Sequence, residues 1–308
     1  MNVLLKSVTI ISPLSQEYHK KKRDILIKNG RIDRIATSIR DAGKVKTISL
    51  PNLHVSPGWF DSGVCFGEPG FEERETIANG LDVAGKSGFT SIVLQPNTNP
   101  LPDTSSDIVF MKKSAVNVAT RLHPLGTLTV NSEGKVLAEL FDMHQAGAVG
   151  FYDHKRPQEQ GNIVKIALQY SQNFDGLVFS YPLDADLASQ GLVHEGEVST
   201  RLGLKGIPAF AEELRIKRDL AVLEYSGGKL HFPTISTAKA VELIADAKDK
   251  GLDVSCSVAL QNLWSTDEAL HEFDSDYKVR PPLRSEDDRK ALRDGLRKGI
   301  IDMVTSDH

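Results

Sequence analysis

Cysteine is scarce in this chain, and its scarcity excludes two kinds of small protein. The 308 residues include two cysteines, Cys65 and Cys256. Two thiols cannot build a disulfide framework or a cysteine-rich zinc knot, and they suit a reducing compartment. The first residues, MNVLLKSVTIISPLSQ, carry Lys6 inside their apolar run and no small-residue cleavage site, unlike a signal peptide. We therefore expect a cytoplasmic protein.

Long apolar runs and an excess of positive charge are also missing. No apolar run approaches the roughly 20 residues that a membrane-spanning helix needs. The net charge is −4, which gives no basic surface for nucleic acid. Acidic and basic residues are mixed along the chain, which argues against a surface that binds anionic membranes. The sequence thus predicts neither nucleic acid nor membrane as a partner.

The first 54 residues contain patterns typical of β-strands. The segments Val3 to Ile11 and Val45 to Leu50 are rich in β-forming residues. Two further apolar runs flank Asn29-Gly30, a strong signal for a type I′ hairpin. So few strands cannot enclose a core of their own. Residues 1–54 are therefore predicted to form a small β-sandwich portion beside a larger domain.

From Val55 onward, apolar β-type runs alternate with helical patterns, which indicates parallel strands joined by helices. Several of the predicted helices stop at glycine, as helix ends commonly do. Eight strands are predicted, at Val55 to Asp61, Thr90 to Gln95, Leu122 to Thr129, Ala148 to Tyr152, Gly176 to Tyr181, Lys229 to Thr234, Leu252 to Ala259 and Ile301 to Ser306. Eight strands with intervening helices predict a (β/α)8 TIM barrel over residues 55–308.

The sequence stops at His308, directly after the eighth predicted strand. We expect a truncated form or a fragment, because an eighth helix has no residues to form it. A barrel without that helix would expose an apolar flank. A partner or a second copy of the chain could cover it, so we expect a homo-oligomer or a hetero-complex.

Three stretches of the sequence resemble one enzyme family. The first is Pro57 to Thr104, PGWFDSGVCFGEPGFEERETIANGLDVAGKSGFTSIVLQPNTNPLPDT, and it resembles the first metal-binding segment of the dihydroorotases, in the amidohydrolase superfamily. Gly191 to Glu213 resembles the family's segment after strand five. YKVRPPLRSEDDRKAL followed by GIIDMVTSDH resembles its passage into strand eight. Together these matches imply an amidohydrolase-like barrel.

The same resemblance implies that most of the family's metal ligands are missing. Its ligand histidines fall on Gly63, Cys65, Tyr181 and Thr234, and an acid after strand five falls on Leu183. Two ligand positions keep an aspartate, namely Asp153 and Asp307, of which the second would be a vestigial general base. Asn97 keeps an asparagine that contacts the substrate in the family. The family's arginine that binds the substrate carboxylate is replaced by Gly67, and its asparagine before Pro-Pro is replaced by Arg280.

These losses decide the expected chemistry. Hydrolysis of a cyclic amide needs hydroxide at neutral pH, which zinc provides by lowering the pKa of water from about 15.7 to about 7. That shift corresponds to about 12 kcal/mol. We therefore expect a catalytically inactive pseudoenzyme without a cofactor. The alternative is an active enzyme with one zinc at a rebuilt site of Cys65, Asp153, His154 and Asp307. Strand alternation argues against this, because His154 would point away when Asp153 points inward.

Three functions remain open at this stage. The first is a structural or regulatory subunit, with aspartate carbamoyltransferase as the expected partner. The second is an active dihydroorotase that converts dihydroorotate to N-carbamoyl-aspartate, with zinc as its cofactor. A third is a barrel that binds a dicarboxylate near Asn97 and Arg280.

Two further expectations concern charged side chains around the barrel mouth. Asp61, Asp153 and Asp307 would converge there, and like charges close together destabilise a fold unless they are paired. One hypothesis is that the loop cations Lys155, Arg156 and Arg280 replace the charge of a metal. The alternative is that they are solvated loop charges. Thr234 occupies the family's ligand position on strand six, which would face the barrel mouth. His231 is out of alternation with that position, so we expect its side chain to face the outer helices.

Overall fold

The computed structural model describes residues 2–116 and 118–308, and the chain divides into two compact units between Trp59 and Phe60. The sequence placed this division after residue 54. The difference arises because His54–Val55 forms a short strand that pairs with the N-terminal sheet. Val55 therefore does not begin the first strand of the barrel.

The first unit contains one mixed β-sheet, which is the form that the predicted β-sandwich portion takes in the described residues. Its strands lie in the order β3-β2-β1-β4, with β5 also paired to β1. They are β1 Val3–Ile10, β2 Lys22–Lys28, β3 Arg31–Ala36, β4 Lys46–Ile48 and β5 His54–Val55. Asn29 and Gly30 have φ values of 51° and 75° between β2 and β3. Positive φ at both positions is what a type I′ turn requires, so the predicted hairpin is confirmed.

The second unit contains parallel strands and helices in alternation. Its strands are β6 Trp59–Val64, β7 Phe89–Leu94, β8 Arg121–Pro124, β9 Leu177–Phe179, β10 Val193–His194, β11 Gly206–Ile207, β12 Lys229–Phe232, β13 Val254–Ala259 and β14 Met303–Thr305. Its helices are α1 Ile77–Lys86, α2 Ser105–Ser114, α3 Leu140–Ala146, α4 Gly161–Ser171, α5 Ala185–Ala188, α6 Glu197–Leu202, α7 Ala209–Ser226, α8 Ala238–Asp249, α9 Leu260–Trp264 and α10 Glu286–Arg297. Every helix in the described residues is too short or too polar to span a bilayer.

Two sheets and a bridging residue make up the wall of a barrel. One sheet has the order β6-β7-β8 and the other has the order β14-β13-β12-β9. Phe151 connects them through parallel bridges to Gly126 and Val178, so the fourth strand is reduced to a single bridging position. At the opposite seam, the Cys65 N–H donates to the His308 carbonyl at 2.9 Å. The predicted (β/α)8 TIM barrel is therefore confirmed.

Alternate residues of the barrel strands face two different layers. Phe232, Cys256 and Val258 pack with helix residues in the largest apolar cluster, outside the wall. His231 occupies the other face of β12, where its ring lies 4.7 Å from that of Phe179. The prediction that His231 faces the outer helices was therefore wrong. The register argument failed because Thr234 follows the strand, with φ at 53°, and strand alternation does not extend to it.

Candidate functional site

The carboxyl ends of the barrel strands enclose a cavity of about 20 Å³. Active sites of (β/α)8 barrels lie at this end, which is called the mouth here. The cavity is lined by Ser62, Gly63, Gln95, Tyr152, His154, Lys155, Pro233, Thr234, Ser257, Thr305 and Asp307. Its volume suits about one water molecule. Pockets for small-molecule ligands usually measure about 300–1,000 Å³, so this mouth is closed to a substrate in the present conformation.

Asp153, a retained ligand position of the family, is buried and fully engaged by protein donors. Its Oδ1 accepts from the backbone N–H groups of Leu128 at 2.9 Å and Thr129 at 3.0 Å. Its Oδ2 accepts from Thr129 Oγ1 at 2.5 Å and Gln158 Nε2 at 2.6 Å. A metal ligand at position 153 would have to face the mouth, but it is the neighbouring His154 that lines the mouth cavity.

Asp307, the second retained ligand position, forms an ion pair. Lys155 Nζ lies 2.8 Å from Asp307 Oδ2, and the two side chains are only 26% and 12% exposed. Burial raises the pKa of Asp307, while the Lys155 ammonium acts in the opposite direction. The Lys155 backbone N–H donates to the Tyr152 hydroxyl at 2.9 Å, which fixes the loop that carries the ammonium. This contact supports, for Lys155, the hypothesis that a loop cation replaces the charge of a metal.

Cys65 and His154 form a neutral pair at the mouth. Cys65 Sγ lies 3.7 Å from His154 Nε2. Burial raises the pKa of the Cys65 thiol to about 12, although the charge of Lys155 opposes the shift. Burial lowers the pKa of His154 to about 3, and Lys155 adds to that shift. At neutral pH the thiol therefore keeps its proton, and it is not an activated nucleophile.

Two of the lost family positions have no room for the original side chain. A Cβ atom at Gly63 would lie 2.7 Å from Thr305 Oγ1. That hydroxyl donates to Asp61 Oδ1 at 2.7 Å and so satisfies a third buried carboxylate. A Cβ atom at Gly67, where φ is +113°, would lie 2.6 Å from the carbonyl oxygen of Phe71. Both positions therefore need local rearrangement before a histidine or an arginine could stand there.

Tyr181, Thr234 and Arg280 meet at a smaller cavity beside the mouth, of about 10 Å³. The Arg280 guanidinium carbon lies 6.0 Å from the centre of the Tyr181 ring. Burial raises the pKa of Tyr181, and nearby Arg280 opposes the shift. Arg156 instead donates to the carbonyl oxygens of Asn131 and Ser132, at 3.2 and 3.3 Å. Of the three loop cations, only Lys155 is paired with a carboxylate of the mouth.

Asn97 and Arg280 were predicted to contact one substrate. Asn97 lies in the loop after β7, and its Oδ1 is buried without a hydrogen-bond donor among the described residues. Arg280 is exposed and lies against Tyr181. Neither residue lines the mouth cavity. Neither the mouth cavity nor the smaller cavity beside it is lined by both residues.

The donor set as a whole does not fit a zinc centre. Zinc needs four nitrogen, sulfur or oxygen ligands in a tetrahedral array. Within residues 2–116 and 118–308, no three histidine, cysteine, aspartate or glutamate side chains are grouped so that they could hold a metal ion. Asp153 and Asp307 are already bound by protein donors. Neither the family's metal site nor the rebuilt site of Cys65, Asp153, His154 and Asp307 is formed.

Sequence analysis missed the residues that satisfy the carboxylates. Thr129 and Gln158 hold Asp153, and Thr305 holds Asp61. Thr305 ends β14, but Asp307 follows that strand with φ at 56°, so strand alternation does not relate the two residues. Gln158 carried no signal either, since it lies in a loop.

Comparison with known proteins gives the family. A family model described as dihydro-orotase-like matches residues 54–240. A dihydroorotase of Pelotomaculum thermopropionicum is 40% identical over 308 residues, covering 100% of this chain and 71% of the relative. The chain belongs to the dihydro-orotase-like family. The family inferred from the motif resemblance is thereby confirmed.

Other relatives agree with this assignment. A dihydroorotase of Syntrophus aciditrophicus is 37% identical over 310 residues, covering 100% of this chain and 72% of the relative. Among solved structures, the L-hydantoinase (dihydropyrimidinase) from Arthrobacter aurescens superposes with a TM-score of 0.82 at 24% identity, covering 100% of this chain and 69% of that one. At that identity the likeness supports the barrel fold alone.

Proposed function

We propose that this member of the dihydro-orotase-like family has no metal-dependent hydrolase activity and has a structural or regulatory role. One observation carries the proposal: both retained ligand carboxylates are already used by the protein. Asp153 accepts four hydrogen bonds, and Asp307 is paired with Lys155. A metal ion would have to displace these donors, and burial makes an abandoned donor costly.

The remaining groups at the mouth supply no substitute for hydroxide. Cys65 keeps its proton at neutral pH, and Asp307 is occupied by an ammonium group. A general base must reach the proton that it abstracts, whereas the mouth cavity has space for about one water molecule. Attack on an unstrained amide therefore has neither its nucleophile nor a place for the substrate.

For the role of the protein, we propose a hetero-complex with aspartate carbamoyltransferase in the cytoplasm. The family resemblance supports this partner, because dihydroorotases include enzymes that associate with it. A homo-oligomer is the alternative assembly. Gel filtration of the protein alone, and of its mixture with the carbamoyltransferase of the same organism, distinguishes the two. Separate elution of both proteins at micromolar concentration would remove the hetero-complex from the proposal.

A second candidate is an active cyclic-amide hydrolase that converts dihydroorotate to N-carbamoyl-aspartate with zinc. The observation in its favour is that relatives 33–40% identical to this chain are named dihydroorotase. Activity would require Asp153 to turn away from Thr129 and Gln158, and Lys155 to leave Asp307. The geometry therefore favours the inactive alternative.

The deciding experiment is an assay of dihydroorotate hydrolysis with the purified protein, without metal and with increasing zinc. The dihydroorotase of Pelotomaculum thermopropionicum, assayed in parallel, is the positive control. We expect no turnover above the uncatalysed rate and no stoichiometric zinc after gel filtration. Turnover that increases with bound zinc would overturn the proposal and establish the second candidate.

A further inference from the structure

We propose that the barrel mouth is a binding site for an alkylammonium group, and that the protein fills it with its own Lys155 side chain. The inference deepens the proposed function, on which it rests, by saying what holds the mouth together without a metal. Its central observation is the 2.8 Å contact between Lys155 Nζ and Asp307 Oδ2. Both side chains are largely removed from solvent, which separates this pair from exposed surface ion pairs.

The loop is built to place the ammonium at this point. Lys155 has φ at 52°, in the left-handed region that non-glycine residues rarely occupy, and Asp307 has φ at 56°. The Tyr152 hydroxyl accepts the Lys155 backbone N–H and so holds the lysine loop. A positive φ at a residue other than glycine is strained, and it persists only where the surrounding structure holds the backbone in that conformation. The ion pair is thus a feature of the mouth rather than a chance encounter of flexible chains.

Charge also requires a cation at this point. Asp61 and Asp153 are satisfied by hydroxyl, amide and backbone N–H donors. Asp307 differs, because its bound cation is Lys155. Cys65 and His154, which adjoin the mouth, are in contact with each other at 3.7 Å. Without the ammonium, a partly buried carboxylate would lose its counter-charge, which destabilises a fold.

The shape of the site defines the ligand class. Truncation of Lys155 to alanine removes three methylene groups and the ammonium, next to a cavity of about 20 Å³ that Lys155 already lines. The space thereby opened matches a short primary alkylammonium ion. Ethylammonium fits the vacated path with room for its two carbons, and its N–H groups can reach Asp307 as those of Lys155 do. Sodium supplies the charge without the alkyl chain.

Chemical rescue tests this inference directly. We expect Lys155→Ala to lower the melting temperature by about 3–6 °C, and millimolar ethylammonium chloride to restore most of the loss. Sodium chloride at equal ionic strength should not restore it. The matched control is Lys239→Ala, which removes an exposed lysine paired with Glu242 and should respond to neither salt. The double variant Lys155→Ala/Asp307→Asn should no longer respond to ethylammonium.

An unchanged melting temperature in Lys155→Ala, or equal restoration by the two salts, would overturn the inference. If that variant does not fold, the wild-type protein provides a second measurement. Acetylation followed by mass spectrometry should modify Lys155 several-fold more slowly than Lys239, because the Lys155 side chain is less exposed, at 26% against 46%, and its partner Asp307 is only 12% exposed. Equal rates would count against the site. Neither readout measures hydrolysis, so a failure here is distinguishable from a failure of the proposed function.

Discussion

Two acid–base pairs at the carboxyl end of the barrel, one buried and one partly buried, are held in different ways. Glu212 and Arg284 are each 2% exposed, with 3.9 Å between charged atoms. Glu212 accepts from the backbone N–H groups of Ser236 at 2.8 Å and Thr237 at 3.0 Å, and from both hydroxyls. Asp307, by contrast, is bound at 2.8 Å by Lys155, with the Gln261 side chain as a second hydrogen-bond donor.

The difference separates a structural network from a replaceable contact. Arg284 also donates to the Ile207 carbonyl at 2.7 Å and to Ser236 Oγ at 3.1 Å, so it connects three segments of the chain. Burial raises the pKa of Glu212 and lowers that of Arg284, and each charge opposes the shift of the other. Both pairs adjoin a small cavity, of about 10 Å³ beside Glu212 and Arg284 and of about 20 Å³ beside Asp307 and Lys155. The two pairs therefore differ in the number of donors around the carboxylate.

The largest expected effect is therefore in the Glu212 network. Glu212→Ala leaves Arg284 buried without its carboxylate, and we expect a loss of about 3–5 kcal/mol in the free energy of unfolding. Urea denaturation measures it. Glu268→Ala is the matched control, since Glu268 pairs with Arg201 at the surface and should cost less than about 1 kcal/mol. Equal losses in the two variants would abolish the contrast between the networks.

The next effect concerns the family residue at the mouth. Gly63→His places a Cβ atom against Thr305 Oγ1, and we expect a loss of about 1–3 kcal/mol. The matched control is Gly161→Ala, whose Cβ would lie 3.8 Å from Arg218 and should be tolerated. The double variant Gly63→His/Cys65→His should also fail to hydrolyse dihydroorotate. Recovery of activity by that pair of changes would show that the mouth readily returns to a catalytic arrangement.

Most of the fold could be predicted from the sequence, because the patterns that indicate strands and helices are local. Glycine at the ends of helices and β-type apolar runs predicted the alternation of strands and helices. In the structure α7 ends directly before Gly227, and α10 ends two residues before Gly299. The fourth strand was predicted as five residues, but the structure keeps only a bridge at Phe151. Its length depends on pairing with both neighbouring strands, and a single stretch of sequence does not carry that information.

The site was less predictable, because side-chain direction there depends on loop conformation. Strand alternation predicts that Asp153 faces the mouth and that His154 faces away. In the structure His154 lines the mouth instead, because the regular wall of the barrel ends at Phe151. Thr234 turns with a positive φ, which broke the register argument for His231. Motif resemblance identified which residue occupies each family position. It could not say that Thr129 and Gln158 would take the oxygens of Asp153.

The pH dependence of stability gives a third comparison between the mouth and the Glu212 network. His231 lies between Ser255 and Ser257 beneath the mouth, and burial lowers its pKa to about 4. His194 lies beside Arg284 in the Glu212 network, and burial followed by that charge lowers its pKa to about 4. A lowered histidine pKa means that the unfolded chain takes up the proton first. Stability is therefore full above pH 6.5 and falls as the pH drops from 6.5 towards 4.

For His231 the slope should reach about 1.4 kcal/mol per pH unit. The slope due to His194 should be smaller, because that ring is more exposed and solvent screens its shift. Urea denaturation between pH 7 and pH 5 of His231→Gln and His194→Gln should give flatter profiles than wild type, in that order. The exposed His271→Gln serves as the control. A wild-type stability that does not change over this range would contradict the assignment of buried neutral imidazoles.

The smallest effect is expected at Arg280, an exposed cation that lines the same small cavity as Glu212 and Arg284. Its guanidinium contacts the Tyr181 ring from an exposed loop, so Arg280→Asn should lower the free energy of unfolding by about 0.5–1 kcal/mol. Lys278→Asn removes an exposed charge from the same loop and is the control. Parallel urea titrations at two salt concentrations measure both variants. No difference between them would make Arg280 a solvated loop charge, and a loss near that of Glu212→Ala would make it part of the buried network. An intermediate loss that persists at high salt would identify the ring contact, since stacking on a buried aromatic face is screened less than a surface charge.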